Sequence, residues 1–187
     1  MTGNPTVEPS AARFVPRSQV LTSDEVARSL RRMAHEVLEH HDVADALVVI
    51  GLQTGGIAFA TALVAQLVEL GATGVSAGTL DVAYWRDDTR VRPLVDATTT
   101  AIPGDLTDRV VVLVDDVLYT GRTIRAALNA LSEWGRPKVI ELAVMVDRGH
   151  RELPIRPDYV GKNLPTSPRE SVLATLEGVW IGVEEAS

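Results

Sequence analysis

The chain has 187 residues, 45% of them apolar, and a formal net charge of −7. That length supports one well-buried core and argues against two independent ones. It has no cysteine, so a disulfide framework and a thiolate metal site are excluded, and the net acidity argues against indiscriminate nucleic-acid binding.

Met1 to Arg17 mixes Pro, Gly, Ser and Thr without periodicity and is expected to be a flexible arm, leaving residues 18–187 as a single domain. Thr22-Ser23-Asp24-Glu25 reads as a helix start, and Val26, Leu30, Met33, Ala34, Val37 and Leu38 form an apolar stripe running to about His40. Ala46 to Ile50 is a first buried strand, Gly51 to Gly56 a glycine-rich turn, and Ile57 to Leu70 a second helix. Gly78 to Trp85 reads as another strand. Arg86 to Asp108 is polar, irregular and too long for a simple connector, which marks a functional flap or a partly disordered segment.

The most informative stretch comes next. Val111 to Val114 runs straight into Asp115 and Asp116, and Val117-Leu118-Tyr119-Thr120-Gly121-Arg122-Thr123 then leads into an Ala/Leu-rich helix from Ile124 to Leu131. A buried parallel strand thus delivers its end to a loop that opens a helix, whose N–H groups and dipole favour a phosphate. Thr120 and Thr123 add hydroxyl donors, and Gly121 lets the backbone approach closely. Two adjacent acids are too negative to face a phosphate; they suit sugar hydroxyls or a Mg²⁺ held on the substrate. Val139 to Val146 is a further strand, Asp147 to Pro154 a polar excursion, and Tyr159–Gly161 and Val172–Leu176 are short strands near the end. Strands alternating with helices imply a mostly parallel sheet flanked by helices. Its ligands sit at the carboxyl ends of the strands, where the turns after Ile50, Trp85, Val114 and Val146 should meet. The glycine-rich turn exposes backbone N–H groups that suit a second anion. No apolar run reaches the length of a membrane span, and the N-terminus lacks a basic-then-apolar leader pattern, so a cytoplasmic protein is expected.

The segment from Val111 to Thr123 resembles the signature of type I phosphoribosyltransferases. The resemblance implies an α/β fold with a small hood. The acid pair would contact the ribose of phosphoribosyl pyrophosphate (PRPP), Thr120 to Thr123 would cradle its 5-phosphate with Val117, Leu118 and Tyr119 in the same nucleotide site, and Thr54 and Gly55 would lie beside the pyrophosphate. Further stretches narrow the likeness. Gly135-Arg136-Pro137, Leu142-Ala143-Val144, Val146 to Arg156, Gly161 to Ser167, Arg86-Asp87-Asp88 and Arg32 to Glu36 resemble the bacterial pyrimidine-operon attenuators that are also uracil phosphoribosyltransferases.

That branch implies transfer of a phosphoribosyl group from Mg-PRPP to uracil, and uridine nucleotides (UMP, UTP) that promote binding to an mRNA stem-loop. It also implies a homodimer or larger assembly. Arg86 and Asp87 would begin a flap over PRPP and, with Asp115 and Asp116, carry catalysis. Asp147 and Arg148 would approach the base or the pyrophosphate. Arg31, Arg32, His35, His150, Arg151, Arg156 and Lys162 would form the RNA-facing basic patch, with Arg31 and His35 on one helix face. One departure stands out. The branch usually carries Arg just before the last Gly of the pyrophosphate loop, and here that position is Gly55. Losing such a charge-assisted contact costs ~1.5–3 kcal/mol, so weakened catalysis is expected. Two alternatives stay open beside the dual function: an RNA-binding regulator with little catalysis, and a uracil phosphoribosyltransferase without RNA binding.

Overall fold

A computed structural model describes residues 13–42, 46–82 and 100–185. In chain order the elements are β1 (Arg13–Thr22), α1 (Ser23–His40), β2 (Leu47–Leu52), α2 (Gly56–Glu69), β3 (Ser76–Leu80), β4 (Val110–Leu118), α3 (Arg122–Leu131), β5 (Val139–Asp147), β6 (Tyr159–Asn163), β7 (Ser171–Thr175) and β8 (Gly178–Glu185). Five strands form a parallel sheet in the order β3-β2-β4-β5-β6, and three form a separate antiparallel sheet in the order β1-β8-β7.

The parallel sheet follows from burial on both faces. All of β2 and the first five residues of β4, Val110 to Val114, are buried, the continuous apolar run such strands require. Side chains alternate between faces. Leu47 and Val49 of β2, with Val110, Val112 and Val114 of β4, pack against α1 and α2. Val48 and Ile50, with Val111 and Leu113, pack against α3. Helix α1 turns Val26, Leu30, Met33, Ala34 and Val37 to the sheet. Its start is fixed by a capping box: Thr22 Oγ1 accepts from Glu25 N–H, and Glu25 Oε2 accepts from Thr22 N–H at 2.8 Å. Those bonds favour the charged carboxylate and hold Glu25 below its ordinary pKa.

Several boundaries differ from the sequence reading, and β8 (Gly178–Glu185) was not among its elements. Arg13 to Arg17, expected in the arm, are the first half of β1 and pair with β8, Arg13 opposite Glu185 and Val15 opposite Val183. The partner lies some 170 positions away, beyond the reach of local periodicity, and Pro16 fits because β1 is an edge strand with a bulge after it. Strand β4 continues through the acid pair to Leu118, because β5 goes on pairing with it as far as Leu118 opposite Asp147. Strand β3 begins at Ser76 and ends at Leu80, although Val82 is still buried. The expected flap is described only from residue 100 onward. There Ala101 pairs with Thr79 and Leu106 is fully buried, so this end is anchored.

The hood of β1, β8 and β7 is joined to the main body by apolar contact: Leu21, Ala174 and Val179 belong to the same buried cluster as α1, α2 and the sheet.

Candidate functional site

The carboxyl ends of β2, β4 and β5 meet at one end of the sheet. Asp115 and Asp116 are consecutive on β4 and therefore belong to opposite faces. Asp115 is 6% exposed and lies on the α3 side; Asp116 is half-buried on the α2 side. Asp116 N–H donates to Asp115 Oδ1 at 3.1 Å, and Val117 N–H donates to Asp116 Oδ1 at 2.7 Å. Burial pushes the Asp116 carboxyl above the usual carboxylate range, and the bonds from Val117 N–H and the Asp115 side chain pull against it.

Beyond the pair the backbone opens a cavity of about 310 Å³ lined by Asp115, residues 117–124 and Glu152. Gly121 makes the loop possible. Its φ of +92° is left-handed, and a Cβ would press on Leu153 and Ile155 at 3.4 Å. The turn leaves the first N–H groups of α3 facing the cavity end, where no acidic side chain occupies the first turn. Thr120 Oγ1 accepts from Arg122 N–H at 3.3 Å, which sets the loop's curvature.

The polar excursion after β5 forms the wall of this cavity. Glu152 and Leu153 N–H both donate to Thr120 O, and Glu152 Oε2 holds the Arg122 guanidinium at 2.6 and 2.7 Å. Arg151 is the hub. It pairs with Asp147 Oδ2 at 2.5 Å and donates to the carbonyls of Tyr119, Gly149 and Ile155 at 2.8–3.2 Å. Arg148 is 7% exposed. It donates to Thr166 Oγ1 at 3.1 Å and Glu170 O at 2.6 Å, and its guanidinium sits 4.1 Å over the Tyr119 ring. His150 meets the same ring edge-on and bonds Thr166 O.

These facts sort the residues named from the sequence. Asp115 and residues 117–123 converge on the cavity. Gly55 lies against Asp116, and Thr54 is exposed beside it. Arg86 and Asp87 fall outside the described residues. Asp147 and Arg148 stand at the right end of the sheet, yet both are tied into the wall, Asp147 to Arg151 and to Gly149 N–H, Arg148 to the link toward β7. Arg151, grouped above with the RNA-facing cations, has its donors committed inside the molecule. Arg32 pairs with Glu36 and caps the carbonyls of Val160 and Gly161 at 2.7 and 2.9 Å, which fastens α1 to the edge strand β6. Arg31, His35, His150, Arg156 and Lys162 are exposed. Arg156 also lines a shallower cavity of about 400 Å³ with Asp147, Arg151, Val160 and Asn163. The sequence reading missed Glu152 as a cavity residue. Its spacing within the excursion gives no sign of it, because the contact depends on how the excursion folds back.

Residues 16–174 match the model of the Phosphoribosyl transferase domain, and the chain belongs to that family. The Bifunctional protein PyrR of Deinococcus radiodurans is 52% identical over 165 residues, covering 87% of this chain and 89% of the relative. The protein of the same name from Streptomyces coelicolor is 52% identical over 158 residues, covering 84% and 82%. Within the family, the chain therefore groups with the PyrR proteins. Among solved structures, hypoxanthine phosphoribosyltransferases of Staphylococcus aureus and Trypanosoma cruzi share the fold. Their TM-scores are 0.68 and 0.70 at 18% and 19% identity, covering 91% of this chain and 93% and 98% of theirs.

Proposed function

We propose that the protein transfers the phosphoribosyl group of Mg-PRPP to uracil, giving UMP and pyrophosphate. With uridine nucleotide bound, it then binds an mRNA stem-loop to attenuate transcription of pyrimidine genes. The observation that carries the catalytic half is the cavity between the acid pair and the start of α3. It offers the Asp115 carboxylate for ribose hydroxyls at one end and helix N–H groups for a phosphate at the other.

The 5-phosphate binds on the N–H groups of residues 120–123 with the Thr120 and Thr123 hydroxyls. Asp115 takes the ribose hydroxyls from the cavity side. Asp116 reaches the substrate from the α2 side, next to Thr54 and Gly55, where the pyrophosphate leaves. N1 of uracil displaces the pyrophosphate from C1, and the protein's work is alignment and charge stabilisation. Carboxylate oxygens are the donor set of a hard cation, so Asp115 and Asp116 fit Mg²⁺ brought in on PRPP. Held there by the two carboxylates, Mg²⁺ would supply positive charge to the leaving pyrophosphate. The Tyr119 ring, held between Arg148 and His150, presents a flat neutral surface that suits a pyrimidine. The RNA half rests on the exposed Arg31, His35, Arg156 and Lys162, on α1 and the neighbouring edge of the sheet.

Two assays test the reading. Product formation with uracil is compared with orotate, hypoxanthine and adenine, and a preference for a purine would overturn the uracil assignment. Binding of a pyrimidine-operon leader RNA is measured with and without UMP. Turnover without RNA binding would leave the enzyme-only alternative; nucleotide-dependent RNA binding without turnover would leave the regulator-only one, toward which Gly55 points.

A further inference from the structure

Three charged side chains line the cavity: Asp115 at the end of the acid pair, and Arg122 and Glu152 at the end where α3 begins. Arg122 is the first residue of α3. A guanidinium at that place would serve any anion that entered. Here it is already engaged. Its Nε and Nη2 both donate to Glu152 Oε2, at 2.7 and 2.6 Å. Glu152 is held from the other side as well, because its own N–H donates to Thr120 O at 3.0 Å. The two side chains are 42% and 49% exposed, and an ion pair so open to water contributes little to stability. Its place matters more than its strength. A carboxylate stands at the rim of a site built for an anion, and it keeps the nearest cation for itself.

A single phosphate seated on the N–H groups of residues 120–123 is satisfied by those donors and by the Thr120 and Thr123 hydroxyls. With the sugar inward, toward Asp115, a second phosphate joined to the first can run only outward, to the rim. There it meets the Glu152 carboxylate. We propose that Glu152 is a specificity-determining residue that selects 5-monophosphates at this site. Its charge opposes the outer phosphates of a nucleoside triphosphate, and its bond to Arg122 withholds the cation that would offset them. This rests on the phosphoribosyl-binding reading of the cavity and deepens it. PRPP and UMP each present one phosphate to the loop and UTP presents three, so the protein senses its own product in preference to that product's further phosphorylated forms.

The test is an equilibrium titration of UMP and UTP into the wild type, Glu152→Gln, Glu152→Asp and Arg122→Gln. Chelator is present so that the triphosphate keeps its full charge, and each titration is run at about 0.05 M and about 0.5 M salt. The readout is the ratio of the UTP Kd to the UMP Kd, which a general loosening of the loop would not move, because both ligands use the loop. The wild type should favour UMP. Glu152→Gln should lower the ratio about fivefold to tenfold, and Glu152→Asp should retain most of it. Arg122→Gln, which leaves the carboxylate unpaired, should raise it. These differences should shrink at the higher salt. A ratio unchanged by Glu152→Gln would overturn the proposal, as would a ratio lowered by Arg122→Gln or a shift of equal size at both salt concentrations. The mono- and triphosphates of adenosine and guanosine run alongside. A wild type that binds those in place of the uridine pair overturns the uracil assignment alone, since their ratio still reports the charge at residue 152. A wild type that binds no nucleotide overturns both.

Discussion

The two ends of the parallel sheet treat buried polar groups in opposite ways. At the amino ends of β5 and β6, Tyr159 is 1% exposed and its hydroxyl donates to Glu141 Oε2 at 2.8 Å. That hydroxyl has one hydrogen, so His40 Nδ1, 3.0 Å away, must be the donor in their bond. His41 Nε2 bonds the same Glu141 oxygen at 2.9 Å. Burial, with Glu141 beside it, keeps the Tyr159 hydroxyl protonated far above its ordinary range. At the carboxyl ends, Asp115 lines an open cavity and Asp116 lies on the opposite face of β4, where burial raises its carboxyl against the opposing pull of the Val117 N–H and Asp115 hydrogen bonds. One end is closed on itself and stabilises the fold. Under the proposed function the other is left for a sugar and a cation to complete, which would separate a structural polar cluster from a site for a ligand.

That contrast can be broken by substitution. The largest effect is expected for Asp115→Asn with Asp116→Asn, which should reduce Mg-PRPP affinity by about two orders of magnitude or more while the free protein melts no lower than wild type. Calorimetry and melting on the same samples check both halves; a lower melting temperature with intact PRPP binding would mean the acids are structural. Next, Tyr159→Phe should cost about 1–3 kcal/mol of stability in urea unfolding, because Glu141 and His40 lose their shared partner, with PRPP affinity unchanged. Arg151→Ala should move both readouts, since Arg151 joins Asp147 to the carbonyls of the phosphate loop.

A pH series sharpens the comparison further. The Asp116 carboxyl is raised in the folded protein, so the fold binds more protons than the unfolded chain. Stability should therefore fall as pH rises from the ordinary aspartate range through the raised value. Asp116→Asn should flatten that slope, and an unchanged slope would assign it to another group. The smallest effects lie at the surface. Thr22→Ala should cost ~1 kcal/mol through the lost capping box. Arg156→Ala should weaken RNA binding about fivefold and leave UMP affinity alone, as a filter-binding titration would show.

The comparison also explains what the sequence could reveal. The strand, acid pair, loop and helix from Val111 to Leu131 are contiguous, so the central part of the site could be read directly from it. Helix α1 was equally plain, because its stripe and its Thr22/Glu25 cap are local. Less accessible was anything made by distant partners: the pairing of β1 with β8, the extension of β4 along β5, and the folding of Arg151 and Glu152 back onto the phosphate loop. In the run from Asp147 to Arg156, Arg151 was grouped with the outward-facing cations and instead turns inward. Charge alone does not say whether a guanidinium meets solvent or a backbone carbonyl. At Gly55 the sequence showed a missing cation, and only the packing showed what fills the space.

The hood has a consequence for how the chain is made. Strand β1 precedes the parallel sheet in the chain, yet among the described residues its only strand partner is β8, which follows that sheet. The five strands of the parallel sheet all lie before residue 164, so their backbone pairing can form before β7 and β8 are made. Strand β1 must wait, its ladder groups unpaired, until β8 has been made. Nascent chains stalled just after β6 and just after β8 should therefore differ in protease protection at residues 13–22 far more than at residues 110–131.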